Sequence, residues 1–155
     1  MAETPDYSNR RLLIVDDEQF MLSVLDMVLK QMKAGAIVKA QDGTTAIKSF
    51  REQADRVDCI ISDYAMKPGN GLQLLQAVRM GVNPIIPRNQ PFIMVTGHGE
   101  TEVAKKKAVT LDVNGYVVKL VSPEKLIVAL ERVFKNPPDV RPAEYYRSVN
   151  LNVGS

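Results

Sequence analysis

The feature that most constrains the fold is an alternation, repeated along most of the chain, of a short apolar run with a segment whose apolar residues recur at helical spacing. The first run, Leu12 to Val15, is apolar at every position, which is typical of a strand buried on both faces. Parallel strands need crossover connections, and right-handed crossovers place helices on both faces of one sheet. The sequence therefore predicts an α/β fold built on a parallel sheet.

The alternation occurs five times, which predicts a flavodoxin-like, doubly wound, five-stranded parallel sheet in a single (βα)5 domain. Ser122, Pro123 and Glu124 predict the start of the last helix, because a serine cap, a first-turn proline and an acidic residue favour a helix N-terminus. The predicted strands, each followed by a helical segment, span residues 12–15, 36–40, 57–62, 92–95 and 115–118.

The domain boundaries follow from where this alternation begins and ends. We expect a flexible lead at residues 1–10, the domain at 11–135, and a tail at 136–155. The tail has three prolines and is too short for a core of its own or for an output domain. Docking of Tyr145 and Tyr146 on the domain, docking on a partner, and a disordered tail all stay open.

Composition excludes several classes of protein. The 20 basic and 18 acidic residues leave a formal charge of +2. A charge this close to balanced does not indicate that nucleic acid is the main partner. The single cysteine excludes an internal disulfide. The first apolar run has only four residues and follows an acidic start, which fits neither a signal peptide nor a membrane span. We expect a cytoplasmic protein with no membrane insertion.

Polar residues end four of the predicted strands. Asp16 and Asp17 follow the first, Asp63 the third, Thr96 the fourth and Lys119 the fifth. Ligands of open parallel sheets bind at the carboxyl ends of the strands, so these side chains are expected to converge there. Two carboxylates about 4 Å apart repel by about 4 kcal/mol at an effective dielectric constant of 20, so a cation is expected among them. Oxygen ligands favour Mg²⁺.

A magnesium site beside a hydroxyl and an ammonium group suits a phosphoryl group. The metal and Lys119 neutralise phosphoryl oxygens, and Thr96 donates a hydrogen bond to them. Asp63 then serves as a nucleophile that forms an aspartyl phosphate.

These residues resemble the receiver domain of bacterial two-component response regulators, including the chemotaxis regulators, over about residues 10–135. The set of positions occurs in the order and spacing of that family. The matching stretches are residues 13–18, Asp42-Gly43, residues 62–66, Gly71, residues 95–97 and residues 115–119.

The resemblance implies a role for each matching residue. Asp16 and Asp17 resemble the acidic pair that holds Mg²⁺, together with Asp63 and the backbone carbonyl of Ala65. Asp63 resembles the phosphoacceptor.

Other positions of the resemblance concern the phosphoryl group after transfer. Thr96 and Lys119 would bind it, and Tyr116 matches an aromatic residue whose rotamer is coupled to the threonine. Ala65 and His98 stand where the family tunes the loss of phosphate. We expect an exchange of Ala65 for Asn to change the lifetime of the aspartyl phosphate.

The chain departs from the family at two positions. Lys67 replaces a proline, with Pro68 one place later, and only a local change in that loop is expected. Leu120 replaces a proline that often follows a cis bond. A cis bond before leucine costs roughly 2.5–4 kcal/mol, so the sequence predicts a trans Lys119–Leu120 bond.

The resemblance implies a stand-alone receiver that is phosphorylated by a histidine kinase or a phosphotransfer protein and switches binding to a separate partner, as a monomer or weak dimer. One alternative is an aspartate-nucleophile phosphatase, although Ala65 stands where that enzyme needs a second aspartate. A flavodoxin-like cofactor binder is disfavoured because the acidic residues after the first strand repel phosphate. A receiver that acts without phosphorylation is a further alternative.

Overall fold

The computed structural model describes residues 6–97 and 102–152. Five parallel strands form one sheet in the order β2-β1-β3-β4-β5. This is the predicted doubly wound order, and the predicted fold class is confirmed. The elements are β1 Arg11–Val15, α1 Gln19–Gln31, β2 Ala36–Ala40, α2 Gly43–Lys48, a 3₁₀ turn Gln53–Asp55, β3 Cys59–Asp63, α3 Gly71–Met80, β4 Phe92–Thr96, α4 Glu102–Thr110, β5 Gly115–Val118, α5 Pro123–Lys135 and α6 Ala143–Arg147.

The strands divide the core into two layers, because successive side chains of a strand point to opposite faces. In β1, Leu13 and Val15 pack with residues of α2, α3 and α4, whereas Leu12 and Ile14 pack with residues of α1 and α5. All four side chains are fully buried, as the continuous apolar run predicted.

Helices α5 and α3 both begin with side-chain caps. Ser122 accepts a hydrogen bond from the backbone N–H of Lys125 at 3.2 Å and Pro123 opens α5, as predicted. At α3, Asn70 accepts from the N–H of Gln73 at 3.0 Å, and the Gln73 side chain accepts from the N–H of Asn70 at 3.1 Å. Both caps satisfy N–H groups that a helix end leaves unpaired.

Two differences from the predicted elements involve contacts between distant parts of the chain. β3 begins at Cys59 rather than Val57, because the carboxylate of Asp58 turns to the N–H of Arg11 at 2.7 Å. The short helix α6 lies in the tail, for which no helix was predicted, and its Tyr146 is fully buried. Within the described ranges, no helix combines the length and the apolar character needed to cross a bilayer.

Candidate functional site

Four strands deliver polar side chains to one edge of the sheet. Asp63 and Thr96 are the last residues of β3 and β4, while Asp16 and Lys119 directly follow β1 and β5. The registers align these ends, since Val15 pairs with Ser62 and Thr96 with Val118. Parallel pairing therefore brings the strand ends to a common edge, where ligands of such sheets bind.

The three aspartates form a compact carboxylate cluster. One oxygen from each of Asp16, Asp17 and Asp63 lies within 4.8 Å of the others. Asp16 is 1% exposed and Asp63 is 3% exposed, whereas Asp17 is half-buried. Lys119 Nζ lies 3.2 Å from Asp63 Oδ1. The structure thus brings together the three predicted carboxylates and the predicted lysine.

Backbone donors hold two of these carboxylates. The N–H of Glu18 donates to Asp16 Oδ1 at 2.9 Å, and the N–H of Lys67 donates to Asp17 Oδ2 at 3.1 Å. Asp16 Oδ2 is buried without a hydrogen-bond donor among the residues that the structure describes. Asp63 Oδ1 forms an ion pair with Lys119. Among the described residues, no group donates a hydrogen bond of suitable geometry to this oxygen.

These buried oxygens fit a hard cation. A buried carboxylate oxygen without a donor is costly, and three acidic groups at this spacing repel one another. Mg²⁺ takes oxygen ligands and is held in proteins by one or two carboxylates. The carboxylate oxygens of the cluster are therefore suitable ligands for Mg²⁺.

Burial dominates the electrostatics of the cluster. The pKa of Asp16 is raised from its ordinary value of 3.8 to about 6, mainly by burial and also by the neighbouring carboxylates of Asp63 and Asp17, while the Glu18 hydrogen bond and Lys119 oppose the shift. Burial also raises the pKa of Asp63, although Lys119 opposes the shift. For Lys119, burial alone would lower the pKa, but attraction to Asp63 and Asp16 outweighs it and the pKa is raised. Lys119 is therefore held as a cation beside Asp63.

The remaining predicted site residues lie around this cluster or outside the described ranges. Thr96 is 2% exposed, and its carbonyl accepts from the N–H of Lys119 at 2.7 Å. Ala65 is exposed in the loop after β3 and forms an isolated bridge with Asn70. The ring of Tyr116 is partly buried, with Lys105 Nζ 5.7 Å from its centre. His98 lies outside the described residues.

The Lys119–Leu120 bond is cis, so the predicted trans bond is wrong. That prediction weighed only the intrinsic preference of an isolated peptide. In the fold, the N–H of Lys119 is bonded to β4, and Lys125 Nζ donates to the carbonyls of Val118 at 3.2 Å and Leu120 at 2.9 Å. These contacts with other elements set the local conformation. The Lys67–Pro68 bond is also cis.

The contributions that Lys67 and Gly71 make to the site were not predicted from the sequence. The backbone N–H of Lys67 orients Asp17, and the signal was the absence of proline, which has no N–H to donate. Gly71 lets α3 approach the site closely, because a Cβ there would lie 2.7 Å from the carbonyl oxygen of Asp63 and 2.5 Å from Met94 Sδ. No pattern local to Gly71 reveals which distant atoms approach it.

Comparisons with known proteins agree with this geometry. The profile of the family described as response regulator receiver domain matches residues 12–131. The chain is 32% identical over 124 residues to the probable chemotaxis protein CheY of Rhizobium etli, covering 80% of this chain and 92% of that protein. It is 30% identical over 125 residues to the chemotaxis protein CheY of Pseudomonas aeruginosa, covering 81% and 96% respectively. The crystal structure of the chemotaxis protein CheY4 of Vibrio cholerae superposes with a TM-score of 0.68 at 27% identity, over 80% of this chain and 98% of that one.

Proposed function

The chain belongs to the response regulator receiver domain family of two-component signalling, and from that premise we propose that it is a phosphorylation-controlled switch with Asp63 as its phosphoacceptor. The observation that carries the proposal is the cluster of three carboxylates beside Lys119 at the carboxyl edge of the sheet. A histidine kinase or a histidine phosphotransfer protein is the proposed donor.

In the proposed transfer, a carboxylate oxygen of Asp63 attacks the phosphorus atom of a phosphohistidine. The bond from phosphorus to the imidazole nitrogen breaks, and the electron pair of that bond stays on the nitrogen of the donor histidine. Lys119 offers a cation to the phosphoryl oxygens, and the Thr96 hydroxyl donates a hydrogen bond to them. Hydrolysis of the acyl phosphate by water restores the carboxylate.

Asp16, Asp17, Asp63 and the backbone carbonyl of Ala65 are the proposed Mg²⁺ ligands. When bound, Mg²⁺ neutralises the developing charge on the phosphoryl oxygens. The buried Asp16 oxygen without a donor supports this assignment. The N–H groups of Glu18 and Lys67 orient the two acidic side chains that follow β1.

The proposed output is a change in the face formed by α4, β5 and α5. Phosphorylation draws the Thr96 side chain toward the site, and Tyr116 on the neighbouring strand follows. This face has a groove of about 400 Å³ between β5 and α5, and Val118 and Val128 beside it are 40% and 60% exposed. A separate protein partner in the cytoplasm would read this change, with the chain acting as a monomer or weak dimer.

The test is incubation with acetyl phosphate and Mg²⁺, followed by mass spectrometry of the intact protein. The proposal expects a mass gain of one phosphoryl group that disappears in Asp63→Asn and in the presence of EDTA. Asp139→Asn, an exposed aspartate in the tail, is the matched control and is expected to be phosphorylated normally. Turnover of a free phosphate ester without a phosphorylated protein would instead favour the phosphatase alternative.

Ala65 and His98 are proposed to tune the lifetime of the phosphoryl group. The methyl side chain of Ala65 offers no polar group to orient an attacking water, and it is exposed beside the cluster. We expect Ala65→Asn and His98→Ala to change the rate of phosphate loss. Decay curves identical to those of the wild-type protein would reject both assignments.

A further inference from the structure

The tail after α5 packs on the face of the domain opposite α1 and α5. Tyr146 is fully buried, and Val140, Tyr145, Val149 and Leu151 pack against the core layer between the sheet and α2, α3 and α4. These residues lie beyond the part of the chain that matches the receiver family, which ends at residue 131. The tail is thus an addition to the family fold, and it occupies a defined packing site on the domain, referred to below as its seat.

One end of this seat is α3. Gln76 Nε2 donates to the carbonyl of Tyr146 at 2.8 Å and to the carbonyl of Val149 at 3.0 Å. Arg88, in the loop after α3, donates to the carbonyl of Arg141, and its guanidinium lies 5.7 Å from the centre of the Tyr146 ring. The tail is therefore anchored on α3 and on the loop that follows it.

The other end of the seat is α4. Lys107 Nζ donates to the carbonyl of Asn150, and the Tyr146 hydroxyl donates to Asp112 Oδ2 at 2.7 Å. Asp112 follows the last turn of α4 with a left-handed backbone, φ 56°, which aspartate tolerates better than most residues. The same Tyr146 hydroxyl accepts from the N–H of Arg141 at 2.9 Å. The tail thus binds both the body of α4 and the turn that ends it.

Few side chains of α4 itself are buried. Its only buried side chains are those of Ala104 and Ala108, whereas Val103 and Val109 are 45% and 62% exposed. A methyl group buries little apolar surface, so the packing of the helix itself on the core is weak.

The C-terminal end of α4 is held by the fully buried Leu111 and by Arg79, which donates to the carbonyls of Leu111 and Asp112. The tail contacts at Lys107 and Asp112 add to this anchorage of the C-terminal half of α4.

We propose that residues 137–152 form a strap that holds the C-terminal half of α4 against α3 and opposes the movement of α4 on phosphorylation of Asp63. The second part rests on the proposed function. α4 is the first described element after Thr96, so a pull on Thr96 acts on one end of the helix while the strap holds the other. Since coupling between two sites is reciprocal, loosening the strap favours the phosphorylated state, and phosphorylation loosens the strap.

The first test uses hydrogen–deuterium exchange of the unphosphorylated, metal-free protein. Lys107→Ala removes the strap contact to the body of α4. Tyr146→Phe keeps the buried ring and removes the contact to Asp112, together with the hydrogen bond that the hydroxyl accepts from Arg141 within the tail. Loss of one such hydrogen bond is expected to speed exchange in residues 102–110 about three- to ten-fold. Lys106→Ala is the matched control, since this neighbouring exposed lysine has the same charge, and exchange in α1 serves as an internal reference.

The second test uses beryllofluoride with Mg²⁺ as a phosphoryl mimic. Affinity is expected to increase about three-fold in Tyr146→Phe, and binding to the wild-type protein is expected to speed exchange in residues 143–152. Unchanged α4 exchange in both strap variants would overturn the strap. Faster α4 exchange with unchanged beryllofluoride affinity would overturn its coupling to the acidic site. A wild-type protein that binds no beryllofluoride would overturn the proposed function and the coupling, while the exchange data would still decide whether the strap holds α4.

Discussion

Lys119 Nζ and Asp63 Oδ1 lie 3.2 Å apart although their strands, β5 and β3, are separated in the sheet by β4. The ion pair therefore spans the end of β4, where Thr96 lies. An anion bound to Asp63 is therefore expected to lie beside the ammonium group of Lys119 and close to the end of β4. This arrangement makes Lys119 the cation through which the acidic cluster can accept further negative charge.

Lys119→Ala is expected to slow phosphorylation by acetyl phosphate about 100-fold, because the developing charge on the phosphoryl oxygens loses its protein cation. The rate is measured by mass spectrometry of the intact protein at fixed Mg²⁺. Lys135→Ala, at the exposed end of α5, is the control and is expected to react at the wild-type rate. Wild-type kinetics in Lys119→Ala would contradict the role of this residue.

Asp16→Asn is expected to stabilise the metal-free protein at neutral pH. The pKa of Asp16 is raised from 3.8 to about 6 in the fold, so ionisation is less favourable in the folded than in the unfolded state. This penalty is absent below pH 4, grows between pH 4 and 6, and is fully present above pH 6. Removing the charge should increase the free energy of unfolding by about 1–2 kcal/mol at pH 7.5.

The measurement is urea unfolding in EDTA at pH 7.5 and at pH 3.5, where the gain should vanish. Excess Mg²⁺ should reduce or reverse the gain, because the ion stabilises only a protein that can bind it. Asp139→Asn serves as the exposed control. An equal effect of Asp16→Asn at both pH values would show that the substitution acts by packing instead of charge.

Gly71→Ala is expected to destabilise the protein by about 1–3 kcal/mol and to weaken Mg²⁺ binding. The added Cβ would lie 2.7 Å from the Asp63 carbonyl oxygen and 2.5 Å from Met94 Sδ, so α3 or the end of β3 must shift. Urea unfolding and calorimetric Mg²⁺ titration measure the two effects. Gly43→Ala is the matched helix-start control, because its Cβ meets Leu74 at 3.4 Å, and near wild-type behaviour is expected.

Arg79→Lys is expected to lower the free energy of unfolding by about 2–4 kcal/mol, because an ammonium group cannot reproduce the fork of a guanidinium. Arg79 is fully buried. Its guanidinium donates to the carbonyls of Arg88, Gln90, Leu111 and Asp112 and to the side chain of Asn114. Urea unfolding tests this, with exposed Arg147→Lys as the control. A loss below 0.5 kcal/mol, the size expected of a surface change, would be inconsistent with this network.

The resting position of the tail shows where sequence-based prediction fails. Tyr145 and Tyr146 left docking and disorder equally open, because a pair of tyrosines after three prolines has no period. Tyr146 is held by Gln76 of α3, Arg88 of the loop after α3 and Asp112 of the turn after α4, which are distant from it in the sequence. The buried Tyr7 of the predicted flexible lead is similar, since its carbonyl accepts from the N–H of Gly35 beyond α1.

The sequence by itself determined the fold class, the strand order and the set of polar strand ends, because these follow from local periodicity and from the general rules of parallel sheets. Asp16, Asp63 and Lys119 could be named in advance for that reason. Only the tertiary structure decided the cis Lys119–Leu120 bond, the hydrogen bond from the N–H of Lys67 to Asp17, the close approach at Gly71 and the packing of the tail on α4. Each depends on atoms brought together from distant parts of the chain, and no local preference contains that information.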